Sequence, residues 1–149
     1  MPRALIVDDS RYQRHLILQA LADLFEADEA ANGQEAVTLF KTALEQRRPY
    51  ALVVMDILMP VMSGHDALAG IRRLEQDARV AEACRTPAIM LSSLDDPGNM
   101  LRAQYESGAQ AYVTKPFTPQ TLFEALAALD LAENPFGEEM DGETPCKPF

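Results

Sequence analysis

The sequence has little with which to enter or grip a membrane. None of its apolar runs approaches the roughly 20 residues that a bilayer-spanning helix needs. The opening, Met1-Pro2-Arg3-Ala4-Leu5, leads straight into a strand-like run and lacks the apolar core and cleavage region of a signal peptide. Basic residues are scarce: 13 Lys+Arg face 23 Asp+Glu, a formal net charge of -10. Nucleic acids and anionic membrane surfaces both call for a basic footprint, so neither direct DNA binding nor membrane insertion is expected. Cysteine is limited to Cys84 and Cys146, with no metal-binding pattern between them. A disulfide stays open, but two free thiols in a cytoplasmic protein are the simpler reading. His15 and His65 lack metal-ligand spacing and read as surface or helix-end groups. The partners left are proteins, small anions held with a metal, or both.

The 149 residues, 48% hydrophobic, suit one domain with its own core. Short apolar runs near residues 4–7, 52–55, 88–91 and 111–113 read as buried strands, with a weaker one at about 25–30. Between them lie apolar stripes of helical period. The first holds Leu16, Ala20 and Leu24, the second Ala36, Leu39, Phe40 and Ala43, and the third Ala67, Leu68, Ile71 and Leu74. A fourth runs from about Pro97 to Ser107, and the last holds Leu122, Phe123, Leu126 and Leu129. Asp96-Pro97 and Thr118-Pro119 place a capping residue before a proline suited to a first helical turn. Five β/α units imply a doubly wound (βα)5 sandwich around a central parallel sheet. Residues 76–86 either extend the third helix or form a long loop. The domain is expected to span residues 1–132. Residues 133–149 hold five acidic residues, one lysine, three prolines and two glycines, and read as an acidic, flexible tail.

Polar groups follow three of the strands. They are Asp8-Asp9 after Ala4–Val7, Asp56 after Leu52–Met55, and Lys115-Pro116 after Ala111–Thr114. Parallel strands ending at one sheet edge would bring them together. Adjacent strand residues point to opposite faces, so both Asp8 and Asp9 can face one metal only if the strand turns as it ends. Mg²⁺ favours oxygen ligands and retained waters, and Mn²⁺ could take its place. Asp9 reads as a direct ligand and Asp8 as one acting mostly through water. Asp56 and a backbone carbonyl of the following loop would add oxygens. Asp56 is also the candidate nucleophile for an acyl phosphate. Lys115 would pair with it before reaction and with a phosphoryl oxygen after. Ser92, at the end of a strand, could donate to another phosphoryl oxygen. The Lys115-Pro116 bond, in a tight turn after a strand, is a candidate cis peptide.

These pieces closely resemble the receiver domain of two-component response regulators, in the style of the chemotaxis response regulator. The matching segments are Leu5–Ser10, Val53–Gly64, Met90–Ser93 and Gly108–Phe117, within a resemblance covering about residues 3 to 131. The resemblance implies a flavodoxin-like strand order 2-1-3-4-5. It implies that Asp56 accepts phosphate from a histidine kinase or histidine phosphotransfer protein. Asp8, Asp9 and Asp56 would hold Mg²⁺ together with the Leu58 backbone carbonyl. Ser92 and Lys115 would bind the phosphoryl group. Tyr112 would be the aromatic switch, turning inward with Ser92. That would couple the pocket to the face made by the fourth helix, fifth strand and fifth helix, where a downstream protein target docks or the domain self-associates.

Two other classes stay open. A metal-dependent phosphatase or phosphotransferase with an aspartyl intermediate would use similar chemistry. However, the haloacid-dehalogenase-like second Asp, two residues after the nucleophile, is replaced by Leu58. A phosphate-independent protein-binding domain would leave an Asp56→Asn variant active in its pathway. Ser63 replaces the acidic residue common before the family's glycine, and lies away from the expected pocket. Leu58 and Ser93 occupy positions that flank the phosphorylated group in the family. The Leu58 side chain cannot orient a water, which predicts a long-lived phosphorylated state. Leu58→Asn should therefore lose phosphate faster than the parent; equal or slower loss in a dephosphorylation time course would refute this.

Overall fold

The computed structural model describes residues 1–93 and 109–129. In chain order these form β1 (Arg3–Val7), α1 (Arg11–Leu21), β2 (Glu26–Ala30), α2 (Gly33–Glu45), β3 (Leu52–Asp56), α3 (Gly64–Asp77), a 3-10 turn (Glu82–Cys84), β4 (Ala88–Ser93), β5 (Ala111–Lys115) and α4 (Pro119–Ala128). All strand pairs are parallel, in the order β2-β1-β3-β4-β5. This is the flavodoxin-like (βα)5 sandwich that the sequence reading and the resemblance together imply. The helical pattern at 97–107 and the segment 133–149 lie outside the described residues.

Strand alternation splits the core into two layers. Leu5, Val7, Val53, Met55 and Met90 pack with Phe40, Leu68 and Ile71 of α2 and α3. Ala4, Ile6, Leu52, Val54, Ile89 and Val113 pack with Ile17, Leu21, Leu122 and Leu126 of α1 and α4. With both faces covered, the central strands read as continuous apolar runs. Edge strand β2 carries charge instead: Asp28 accepts from the Arg3 guanidinium and from the Tyr50 hydroxyl, each at 2.7 Å. Such an edge resists pairing with another sheet.

Helix starts follow local chemistry. Ser10, Asn32, Ser63 and Thr118 each accept a first-turn backbone N–H through the side chain. Each such cap is worth about 1 kcal/mol. Leu24, read as part of the first helical stripe, lies in the turn after α1 instead, its N–H donating to the Leu21 carbonyl. The 76–86 stretch resolves as the end of α3, a turn with Arg79 at φ 60°, and the 3-10 turn. Cys84 is disulfide-bonded, which corrects the expectation of a free thiol there. His65 is buried at the start of α3, so it is a helix-end group but not a surface one; His15 is exposed.

A buried carboxylate joins α3 to β4. Glu75, only 1% exposed, accepts from Arg72 Nη1 at 2.7 Å and from the Thr86 N–H at 2.7 Å. Arg72 also donates to the Thr86 carbonyl and to Gln110 Oε1, which in turn accepts from the Ala88 N–H. Glu75→Ala would strip a buried N–H and a guanidinium of their acceptor. The expected cost is about 3 kcal/mol, with less for Glu75→Gln, which keeps one acceptor. Urea unfolding at neutral pH measures both.

Candidate functional site

Strand register delivers the site. Val7 pairs with Met55, so the residues that follow, Asp8 and Asp56, emerge side by side where β1 and β3 end. Asp8, Asp56 and Lys115 each extend the alternation that faces α1 and α4; Ser92 extends the alternation facing α2 and α3. β1 ends at Val7, and the Ser10 N–H donates to Asp8 Oδ1 at 2.9 Å. This turn breaks the alternation that would otherwise drive Asp8 and Asp9 apart. Carboxylate oxygens of Asp8, Asp9 and Asp56 lie within 4.8 Å of one another. Asp8 and Asp56 are buried; Asp9 is exposed.

Lys115 Nζ lies 2.9 Å from Asp56 Oδ2 and 3.5 Å from Asp8 Oδ2. Ser92 is buried in β4, one strand over from Lys115. Tyr112 is half-buried and packs on the α2–α3 side of the sheet. Leu58 is 56% exposed, and its N–H donates to Asp56 Oδ1 at 3.3 Å. The Lys115–Pro116 peptide is cis. The donor set fits a hard divalent cation: three carboxylates and no soft ligand.

Two supporting groups escaped the sequence reading. Arg14 Nη1 donates to the Asp8 carbonyl at 2.7 Å, while its Nε lies 3.1 Å from Glu29 Oε1. Arg14 thus ties α1 and β2 to the strand end that carries the acidic pair. Its signal in the sequence was a basic residue one turn into a helix that starts beside two aspartates. The second is Gly64, whose N–H donates to the Ile57 carbonyl at 2.8 Å. A Cβ there would lie 2.8 Å from Ile57 Cα and closer still to the Asp56 carbonyl, so only glycine lets α3 start so near the nucleophile's strand.

Burial is the largest influence on Asp56 and raises its pKa above 3.8, against the opposing effect of Lys115. Asp8 is also raised, first by burial and further by the charge of Asp56, against its hydrogen bond from Ser10. Burial alone would lower Lys115, but the hydrogen bond and charge of Asp56 outweigh it and raise the ammonium pKa above 10.5. The signs differ in consequence. A raised carboxylate pKa means that the folded state binds more protons, so stability falls as pH rises from the unfolded value through the folded one. A raised lysine pKa gives stability that is complete below 10.5 and is lost as pH rises through the folded value. At neutral pH the metal-free site therefore carries a carboxylate penalty. Asp8→Asn keeps the Oδ1 acceptor for Ser10 and removes one charge. It should raise the Tm of the metal-free protein at pH 7 by a few degrees and much less at pH 4. Calorimetry at the two pH values checks this, and an unchanged or lower Tm at pH 7 would refute it.

Residues 4–127 match the family model described as the response regulator receiver domain. The chain is 35% identical over 126 residues to the chemotaxis protein CheY of Halobacterium salinarum, covering 84% of this chain and 93% of that protein. It spans about half the length of several longer curated relatives that it also matches. Among solved structures, the chemotaxis protein CheY4 of Vibrio cholerae is 30% identical with a TM-score of 0.70, over 86% of this chain and 98% of that one. The receiver domain of the sensor histidine kinase PA1611 of Pseudomonas aeruginosa, solved with magnesium in its active-site cleft, is 27% identical with a TM-score of 0.68, over 85% and 95%. With the sheet order, the acidic cluster and these likenesses in agreement, the chain belongs to the receiver domains of two-component signalling and resembles the CheY-like response regulators.

Proposed function

We propose that the protein is a phospho-acceptor switch of a two-component phosphorelay, working in the cytoplasm. The observation that carries this reading is the Lys115 ammonium 2.9 Å from Asp56 Oδ2, beside a cluster of three carboxylates. A structural salt bridge would not need two further acids crowded against it, since each adds repulsion. The phosphodonor is a phosphohistidine of a histidine kinase or histidine phosphotransfer protein. An Asp56 oxygen attacks phosphorus, the P–N bond breaks as the P–O bond forms, and the product is an acyl phosphate. Lys115 then turns from Asp56 to a phosphoryl oxygen, and the Ser92 hydroxyl donates to another. Asp8, Asp9, Asp56 and the Leu58 carbonyl would hold Mg²⁺, with Mn²⁺ as a substitute. The ion would supply charge neutralisation at the phosphoryl oxygens, as the magnesium in the cleft of the PA1611 receiver suggests by likeness.

Output would follow from a two-state equilibrium biased by the phosphoryl group. Ser92 drawn toward the phosphate would let Tyr112 turn inward and change the surface around β5 and the helices beside it, altering contacts with a downstream protein or a second copy. The receiver unit is assigned to residues 1–132, followed by an acidic tail at 133–149. The test is intact mass after incubation with acetyl phosphate. One added phosphoryl group should require both Mg²⁺ and Asp56, and should be absent in Asp56→Asn. If neither acetyl phosphate nor a cognate kinase loads the folded protein, the reading fails and phosphate-independent binding replaces it.

A further inference from the structure

Asp8 and Asp9 are joined by one peptide group, and the orientation of that group decides where the second carboxylate stands. β1 ends at Val7, so the strand itself does not fix it. Three contacts hold Asp8. Its N–H donates to the Ala30 carbonyl, at the end of β2, at 3.2 Å. Its Oδ1 accepts from the Ser10 N–H at 2.9 Å. Its carbonyl accepts from Arg14 Nη1 at 2.7 Å. Of these three, only the bond from Arg14 is made to the peptide group that leads into Asp9. Asp9 is exposed, so burial does little to place its side chain.

The guanidinium is held in turn. Arg14 lies one turn into α1, where its backbone N–H donates to the Ser10 carbonyl at 3.0 Å. Its side chain is only 14% exposed, and its Nε lies 3.1 Å from Glu29 Oε1. Two consecutive residues of β2 therefore grip Asp8 from both sides: Ala30 directly, and Glu29 through Arg14. A planar guanidinium bridging two acceptors keeps a fixed donor direction, which a flexible ammonium does not.

Charge gives Arg14 no favourable part in holding a cation, since two positive charges repel. Its contribution would have to come from placing ligands. Mg²⁺ makes such placement matter, because it demands near-ideal octahedral geometry and tolerates little error in ligand direction. We propose that Arg14 is a positioning residue of the metal site: by fixing the Asp8–Asp9 peptide it aims the Asp9 carboxylate and thereby sets the affinity for Mg²⁺. This rests on the reading of Asp8, Asp9 and Asp56 as the metal's ligands. It adds that edge strand β2, which supplies no ligand, bears on the metal through Glu29. Groups that orient metal ligands from behind are typically worth about 10- to 100-fold in affinity.

The test titrates Mg²⁺ into the unphosphorylated full chain, Arg14→Met and Arg14→Lys by isothermal calorimetry, with circular dichroism to establish that each is folded. Methionine keeps an apolar stem but no donor. Lysine keeps the charge and one donor point, but cannot bridge Asp8 and Glu29 as the planar fork does. The dissociation constant should rise at least fivefold in Arg14→Met, and at least twofold but less than in Met in Arg14→Lys. A role confined to stability would leave the affinity of folded variants unchanged, and a charge effect would tighten binding in Arg14→Met. A smaller rise in Arg14→Met, or tighter binding, would therefore overturn the proposal. If Arg14→Met does not fold, Arg14→Lys decides, and a rise below twofold there would overturn it. A parent that binds no Mg²⁺ would overturn the ligand reading and this proposal with it. A parent that binds Mg²⁺ no better than its variants would overturn the role of Arg14 alone.

Discussion

One ammonium group holds the working end of this domain together. Lys115 Nζ lies 2.9 Å from Asp56 and 3.5 Å from Asp8, both buried. Two carboxylates this close, with Asp9 beside them, repel strongly where water is scarce. Without a cation the site would have to protonate or splay apart. The lysine supplies part of the missing positive charge and is set in place by the end of β5, an element far away in sequence. The raised pKa values of both acids show that its compensation is incomplete. That residual penalty is what a bound divalent ion would relieve.

The rest of the fold serves that arrangement. β1 and β3 are neighbours in the sheet and end in step, so their terminal acids meet. Arg14 fixes the Asp8 carbonyl from α1, and its partly exposed partner Glu29 adds little by itself. Gly64 lets α3 begin directly against the strand that carries Asp56. Burial on both faces makes the strands stiff and well registered, while the acids sit where the strands stop and the chain must turn. A rigid sheet thereby presents a strained electrostatic site at its edge, the usual place for ligands in open α/β folds.

The opposite edge is organised by different means. There the polar links are satisfied pairs: Glu75 with Arg72 and the Thr86 N–H, and Asp28 with Arg3 and Tyr50. They tie strand beginnings to helix ends.

The sequence by itself determined the strands, their burial and the positions of the acids. A central parallel strand needs an uninterrupted apolar run, and Asp8, Asp56 and Lys115 each stand where such a run stops. Thr118 was legible as a helix start because capping is a local interaction, whereas the cap made by Ser63 appears only in the structure. Strand order was not legible from periodicity, since a buried strand carries no mark of its neighbour; it came with the resemblance. The extent of α1 was overread at Leu24, where an apolar residue packs from a turn as well as from a helix. His65 was read as a surface or helix-end group; it is a helix-end group, and its burial could not be read because it depends on how α3 meets the sheet. The tertiary structure alone decided the distances around Lys115, the hold of Arg14 on Asp8, the need for glycine at position 64 and the bonding of Cys84. Each joins residues distant along the chain, and a single sequence records what each residue can do but not which distant residue it will face.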